Sequence, residues 1–104
     1  MKDDGTVDQK HLFMNVAEIG VYNTWAGLAK RLKGGKPTSH DLIDAQIEAY
    51  RRTRKMNPSL GFNDEPEFET WICEMRQKME NEGDSYLKAA LPVYDMISKT
   101  LTKK

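Results

Sequence analysis

The sequence predicts an all-α fold: a small, bundle-like single domain of four helices, or five if the first segment breaks. Three observations carry this. Apolar residues recur at spacings of three and four, as on one helical face. Sustained period-two alternation is missing, and the β-branched residues that strands favour are scattered. The links between stripes are short, and 104 residues with 38% hydrophobic content build one modest core.

The first helix is expected over residues 6–33. Thr6 can cap it, with Gln9 in the capping-box position. Leu12, Phe13, Val16, Ala17, Val21, Trp25, Leu28, Ala29 and Leu32 form its stripe. Gly20 and Gly27 each cost up to about 1 kcal/mol relative to Ala. A break between residues 20 and 23 would give two shorter helices, with Asn23 or Thr24 capping the second. Gly34 and Gly35 stop the segment, and Lys30, Arg31 and Lys33 fill the last turn, where cations suit the dipole.

The second helix is expected over 38–56, with Thr38 as cap and Asp41 three residues on. Leu42, Ile43, Ile47 and Tyr50 form its buried stripe. Arg51, Arg52, Arg54 and Lys55 load its C-terminus. Asn57 precedes Pro58 and so disfavours helical angles. Residues 59–63 read as a loop.

The third helix is expected over 64–82. Asp64 caps it, Glu67 takes the box position, and Pro66 sits in the first turn, where its missing N–H costs little. Phe68, Trp71, Ile72, Met75 and Met79 make the cleanest amphipathic stripe in the chain, and Phe62 is placed to fold back on it as a staple. Gly83 reads as the C-terminal cap. The last helix, 85–101, starts from Asp84 or Ser85 and buries Leu87, Ala90, Leu91, Tyr94, Ile97 and Leu101. Its interior Pro92 predicts a kink between residues 88 and 92. Residues 102–104 are expected to fray.

The 16 Lys+Arg and 16 Asp+Glu cancel, which excludes a uniformly basic nucleic-acid coat or an acidic tail. The cancellation is global only. Residues 29–55 hold eight Lys/Arg against three Asp/Glu, giving +5, and residues 64–84 hold eight Asp/Glu against two Lys/Arg, giving −6. The two segments either pair within the chain or face a partner. One cysteine excludes an internal disulfide scaffold. No apolar run is long enough to span a membrane, and the charged start is unlike a signal peptide. A cytoplasmic protein with no membrane contact is expected.

Candidate chemistry is sparse. Residues 24–55 have roughly the layout of a helix-turn-helix, but the five-residue link is long, and His40, Asp41 and Asp44 occupy the end that would face the groove. Most of the aromatics lie on apolar stripes; Tyr22 leaves its stripe and is a candidate surface contact. Asp41, Asp44 and Glu48 share a helical face, and Glu67 and Glu74 could oppose them. This resembles, in layout only, the all-α nucleoside triphosphate pyrophosphohydrolases, whose Mg²⁺ sites use Glu-x-x-Glu pairs. This chain has no such pair. His11 and His40 lack ligands at metal spacing. Cys73 sits among acidic neighbours, which disfavour a reactive thiolate. No cofactor and no metal are expected. Met75, Met79 and Met96 suit an irregular core or an adaptable contact surface.

The sequence therefore reads as a non-enzymatic protein–protein interaction or regulatory module. Its basic face would comprise Lys30, Arg31, Lys33, Lys36, Arg51, Arg52, Arg54 and Lys55, and its acidic face Glu65, Glu67, Glu69 and Glu74. Another protein is the expected partner, and the opposed patches also allow a homodimer. The alternative reading is a DNA-binding regulator using residues 24–55, and the third is a Mg²⁺-dependent nucleotide pyrophosphohydrolase. In size and character alone, the chain resembles small accessory proteins of bacteria and their phages.

Overall fold

A computed structural model describes residues 9–103. Three helices run in chain order: α1 (Gln9–Leu32), α2 (Ser39–Met56) and α3 (Glu65–Lys103). No strand occurs among the described residues, and no helix there is long and apolar enough to cross a membrane. The chain forms one compact all-α domain, but the expected count of four or five helices falls to three. The predicted cap at Thr6 lies outside the described residues.

α1 does not break between residues 20 and 23. A Cβ at Gly20 would lie 3.4 Å from Thr53 Oγ1 and 3.7 Å from Ala49 Cβ. The glycine therefore marks where α1 and α2 pack closely rather than where the helix ends. At the C-terminus of α1, the Lys33 and Gly35 N–H groups donate to Ala29 and Leu32 carbonyls at 3.0 and 3.1 Å, closing the helix where the sequence places its stop.

α2 begins with the expected capping box. The Asp41 N–H donates to Thr38 Oγ1 at 3.1 Å, and the Thr38 N–H donates to Asp41 Oδ2 at 3.0 Å. It ends as the Asn57 N–H and side-chain amide both donate to the Thr53 carbonyl. At α3, the Glu67 N–H donates to Asp64 Oδ1 at 2.9 Å. Glu67 reaches one residue further back than expected, accepting from the Asn63 N–H at 2.8 Å. That hydrogen bond, followed by Lys10, holds the Glu67 carboxyl below its usual pKa.

The two helices expected over 64–82 and 85–101 run together as α3, two helical halves that meet at a kink. The kink falls at Gly83, φ 31°, ψ −101°, where the sequence places the end of the third helix. Between residues 88 and 92, where the sequence predicts a kink, the backbone keeps helical angles, and the departure from them in α3 falls at Gly83. Pro92 and Lys88 are exposed, so the bond lost at Pro92 falls on the solvent side. A straight helix of 39 residues would be about 58 Å long, whereas the long axis of the molecule is 45 Å.

The bend lets each half of α3 close a different region of the core. Phe68, Ile72 and Met79 from the first half pack with Phe13, Ala17, Ile43, Ile47, Tyr50 and Phe62. Ala90 and Tyr94 from the second half pack with Trp25, Leu28, Ala29, Leu42 and Ala45. Val21 and Tyr86 touch both clusters. In the first cluster Phe13 meets Phe62 edge-on at 5.2 Å, Phe62 meets Phe68 at 5.2 Å, and Tyr50 meets Trp71 at 5.1 Å. Phe62 thus closes the start of α3 as the expected staple. Of the methionines, Met79 is buried and Met96 exposed. Leu12 and Val16, expected in the core, are 36% and 39% exposed.

Gly61 presses the α2–α3 loop onto Phe13, at φ 90°. An added Cβ there would lie 2.8 Å from Phe13 Cβ. Gly61→Ala should lower stability by about 2 kcal/mol or more, combining a disfavoured φ with overpacking. Gly83→Ala should also destabilise, by about 1 kcal/mol, although alanine is the better helix former. Urea unfolding monitored by circular dichroism checks both; a stabilised Gly83→Ala protein would show that the bend is not needed.

Candidate functional site

The oppositely charged segments meet each other. The loop after α2 turns its basic C-terminus beside the acidic N-terminus of α3, so each charge also complements a helix dipole. Arg51 contacts Glu69 at 2.6 Å, Arg54 contacts Glu65 at 3.3 Å, and Lys10 contacts Glu67 at 3.3 Å. Elsewhere Arg52 pairs with Glu48 at 2.6 Å, Lys36 with Asp95 at 2.8 Å, and Arg76 with both Asp44 and Glu80. Exposed pairs of this kind contribute between 0 and about 1 kcal/mol each.

Arg54 differs, because its side chain is only 7% exposed. The guanidinium lies 5.8 Å from the Phe62 ring centre and 5.7 Å from that of Phe68. Its Nη1 donates to the Pro58 and Leu60 carbonyls. Arg54 therefore clamps the α2–α3 loop. Within the predicted basic face, Lys36, Arg51, Arg52 and Arg54 are engaged inside the chain. Lys30, Arg31, Lys33 and Lys55 make no ion pair among the described residues. Lys30 and Lys33 rim a hollow of about 560 Å³ between the C-terminal ends of α1 and α3. Within the acidic face, Glu65, Glu67 and Glu69 are engaged, whereas Glu74 is exposed and makes no ion pair among the described residues.

The candidate metal carboxylates have other roles. Asp41 completes a helix cap, Asp44 holds Arg76, and Glu48 holds Arg52. Among the described residues, no group of three His, Cys, Asp or Glu is placed to hold a metal ion. Cys73 lies exposed on α3, in a shallow hollow it shares with Glu74 and Glu82.

A groove of about 350 Å³ runs along α1. Met14, Val21, Tyr22, Trp25, Tyr50 and Val93 wall it. The Tyr22 hydroxyl donates to Glu18 at the rim, at 3.3 Å. Beneath, a polar chain crosses the core: the Tyr86 hydroxyl donates to Gln46 Oε1 at 2.7 Å, and Gln46 Nε2 donates to the Tyr50 hydroxyl at 2.6 Å. Burial pushes the pKa of both tyrosines above the ordinary value.

Sequence reasoning missed the outer face of α1. Leu12, Val16 and Ile19 are 36%, 39% and 68% exposed. At about 100° per residue they lie opposite Ala17, Val21 and Leu28, which face the core. The expected stripe merged two faces of one helix. The signal was present in the spacing: Leu12, Val16 and Ile19 form their own i, i+4, i+7 series. No protein family, curated protein or solved structure matches the chain.

The buried tyrosines set a pH dependence. Their folded pKa values lie above those of the unfolded chain, so their contribution is complete below about pH 10 and is lost as the pH rises further. The urea midpoint should be lower at pH 11 than at pH 8, and Tyr86→Phe should shrink that difference. An unchanged difference would remove Tyr86 as its source.

Proposed function

We propose that this chain is a non-enzymatic protein–protein interaction module that docks through the outer face of α1. The observation that carries the reading is the second apolar stripe, Leu12, Val16 and Ile19, on the side of α1 away from the core. A helix with apolar residues on opposite sides calls for cover on both. Apolar area still open to water is what a partner can bury, and most of it here lies on Ile19, 68% exposed, with smaller shares on Leu12 and Val16. Docking through the basic face has less support, since Lys36, Arg51, Arg52 and Arg54 already hold carboxylates.

The same pairing weighs against DNA binding through residues 24–55. The cations left over, Lys30, Arg31 and Lys33 at one end and Lys55 at the other, are separated by the 18 residues of α2, about 27 Å. Nucleotide hydrolysis lacks support because Asp41, Asp44 and Glu48 are occupied by a cap and two arginines. A single exposed thiol agrees with a cytoplasmic setting.

Affinity capture from the source cell's lysate, with nuclease treatment, tests the reading. Wild-type protein should retain a protein partner after nuclease, and a Val16→Glu/Ile19→Glu variant with unchanged circular dichroism should retain at least tenfold less. Retention that nuclease abolishes, or that the two substitutions leave intact, would overturn it.

A further inference from the structure

We infer that the adjoining C-terminal ends of α1 and α3 form a binding site for an acidic peptide segment that carries one aliphatic side chain among its carboxylates. The site is the hollow of about 560 Å³ bounded by Ala29, Lys30, Lys33 and Gly34, at the end of α1 and the turn after it, and by Ser98 and Leu101 of α3. Ala29 is buried in the cluster around Trp25, and Leu101 packs half-buried against that cluster, so the floor is aliphatic. Gly34 turns the chain at φ 89° and leaves the rim open, since a Cβ there would meet nothing within 4 Å. A recessed apolar floor of this kind receives a projecting aliphatic group.

Charge decides what carries that group. Lys30 and Lys33 on the rim are exposed and, with Arg31 beside them, make no ion pair among the described residues. Residues 29–36 hold Lys30, Arg31, Lys33 and Lys36, and residues 96–103 hold Lys99 and Lys103, with no Asp or Glu in either stretch. The carboxylates nearby have tasks already: Asp95 binds Lys36 at 2.8 Å, and Asp41 closes the cap of α2. Cations at a helix C-terminus answer its dipole, but two such ends supply only about one unit of negative charge. Set against that unit and two carboxylates, the six cations leave this end of the molecule positive by roughly three charges.

The recessed aliphatic floor then selects among anions. A duplex backbone brings phosphates but nothing apolar to seat in the hollow, and single strands stack their bases on aromatic rings, which the lining lacks. A membrane surface is met by apolar side chains that project from a protein, whereas this floor is set back. A peptide satisfies both features at once. Its aliphatic side chain seats on Ala29 and Leu101, and the carboxylates flanking that side chain meet Lys30 and Lys33. The site lies at the end of the helices, apart from Leu12, Val16 and Ile19, so it does not rest on the docking proposed above.

Fluorescence anisotropy with the full chain tests the inference. The probe is a short labelled peptide of Asp, Glu and Ser with one central Leu, and the comparison peptide has Ser in place of that Leu. The Leu peptide should bind saturably, at least about threefold more tightly than the Ser peptide, and more weakly as salt is raised. Lys30→Gln/Lys33→Gln, with unchanged circular dichroism, should weaken binding at least about tenfold. Leu101→Ala should narrow the gap between the two peptides, and Val16→Glu/Ile19→Glu should leave binding unchanged. No binding at protein concentrations up to about 500 µM, equal binding of the two peptides, or binding that the lysine substitutions leave intact overturns the inference. So does tighter binding, through the same lysines, of a labelled DNA duplex or of vesicles rich in phosphatidylserine. Loss of peptide binding in the Val16→Glu/Ile19→Glu protein would overturn it too, by moving the peptide to α1. Failure of the peptide to bind leaves capture through Val16 and Ile19 standing.

Discussion

The bend of α3 at Gly83 is the constraint on which the rest of the fold depends. A straight helix of that length would leave much of the α1–α2 pair uncovered. With the bend, the first half of α3 closes the aromatic cluster around Phe13, and the second half closes the cluster around Trp25 and Leu42. Tyr86, three residues past the bend, touches both clusters and anchors the polar chain through Gln46 to Tyr50. A single backbone position thus ties the two clusters into one core.

The charge pattern follows from the same geometry. Connecting α2 to α3 by a loop pressed against Phe13 leaves the end of one helix beside the start of the next. Cations suit the first and carboxylates the second, so Arg51, Arg54, Glu65 and Glu69 meet without a partner molecule. Arg54 adds a structural task to an electrostatic one, because its buried guanidinium supplies donors to loop carbonyls that would otherwise lose water. Where the two oppositely charged segments meet, Arg51 and Arg54 close on Glu69 and Glu65 as a seam within the chain.

With the seam accounted for, the outer side of α1 becomes the main unexplained surface. Its apolar residues are not those of a solvated helix face, and its sparse charge distinguishes it from the outer faces of α2 and α3. The interaction reading starts from that contrast.

Local features were determined by the sequence itself. Thr38 with Asp41, and Asp64 with Glu67, are caps whose partners lie within three residues, so their bonds form whatever the rest of the chain does. The all-α class and the stripe of Phe68, Ile72 and Met79 were legible for the same reason: helical spacing is a short-range property. Tertiary structure decided what depends on distant residues. How the two halves of α3 lie on either side of Gly83 follows from what each packs against. Leu12 and Val16 carry the same apolar character as Phe13 and Ala17, and only the position of α2 and α3 settles which pair is covered. The basic run likewise gains its meaning from the fold, because an arginine beside a carboxylate in space need not be beside it in sequence.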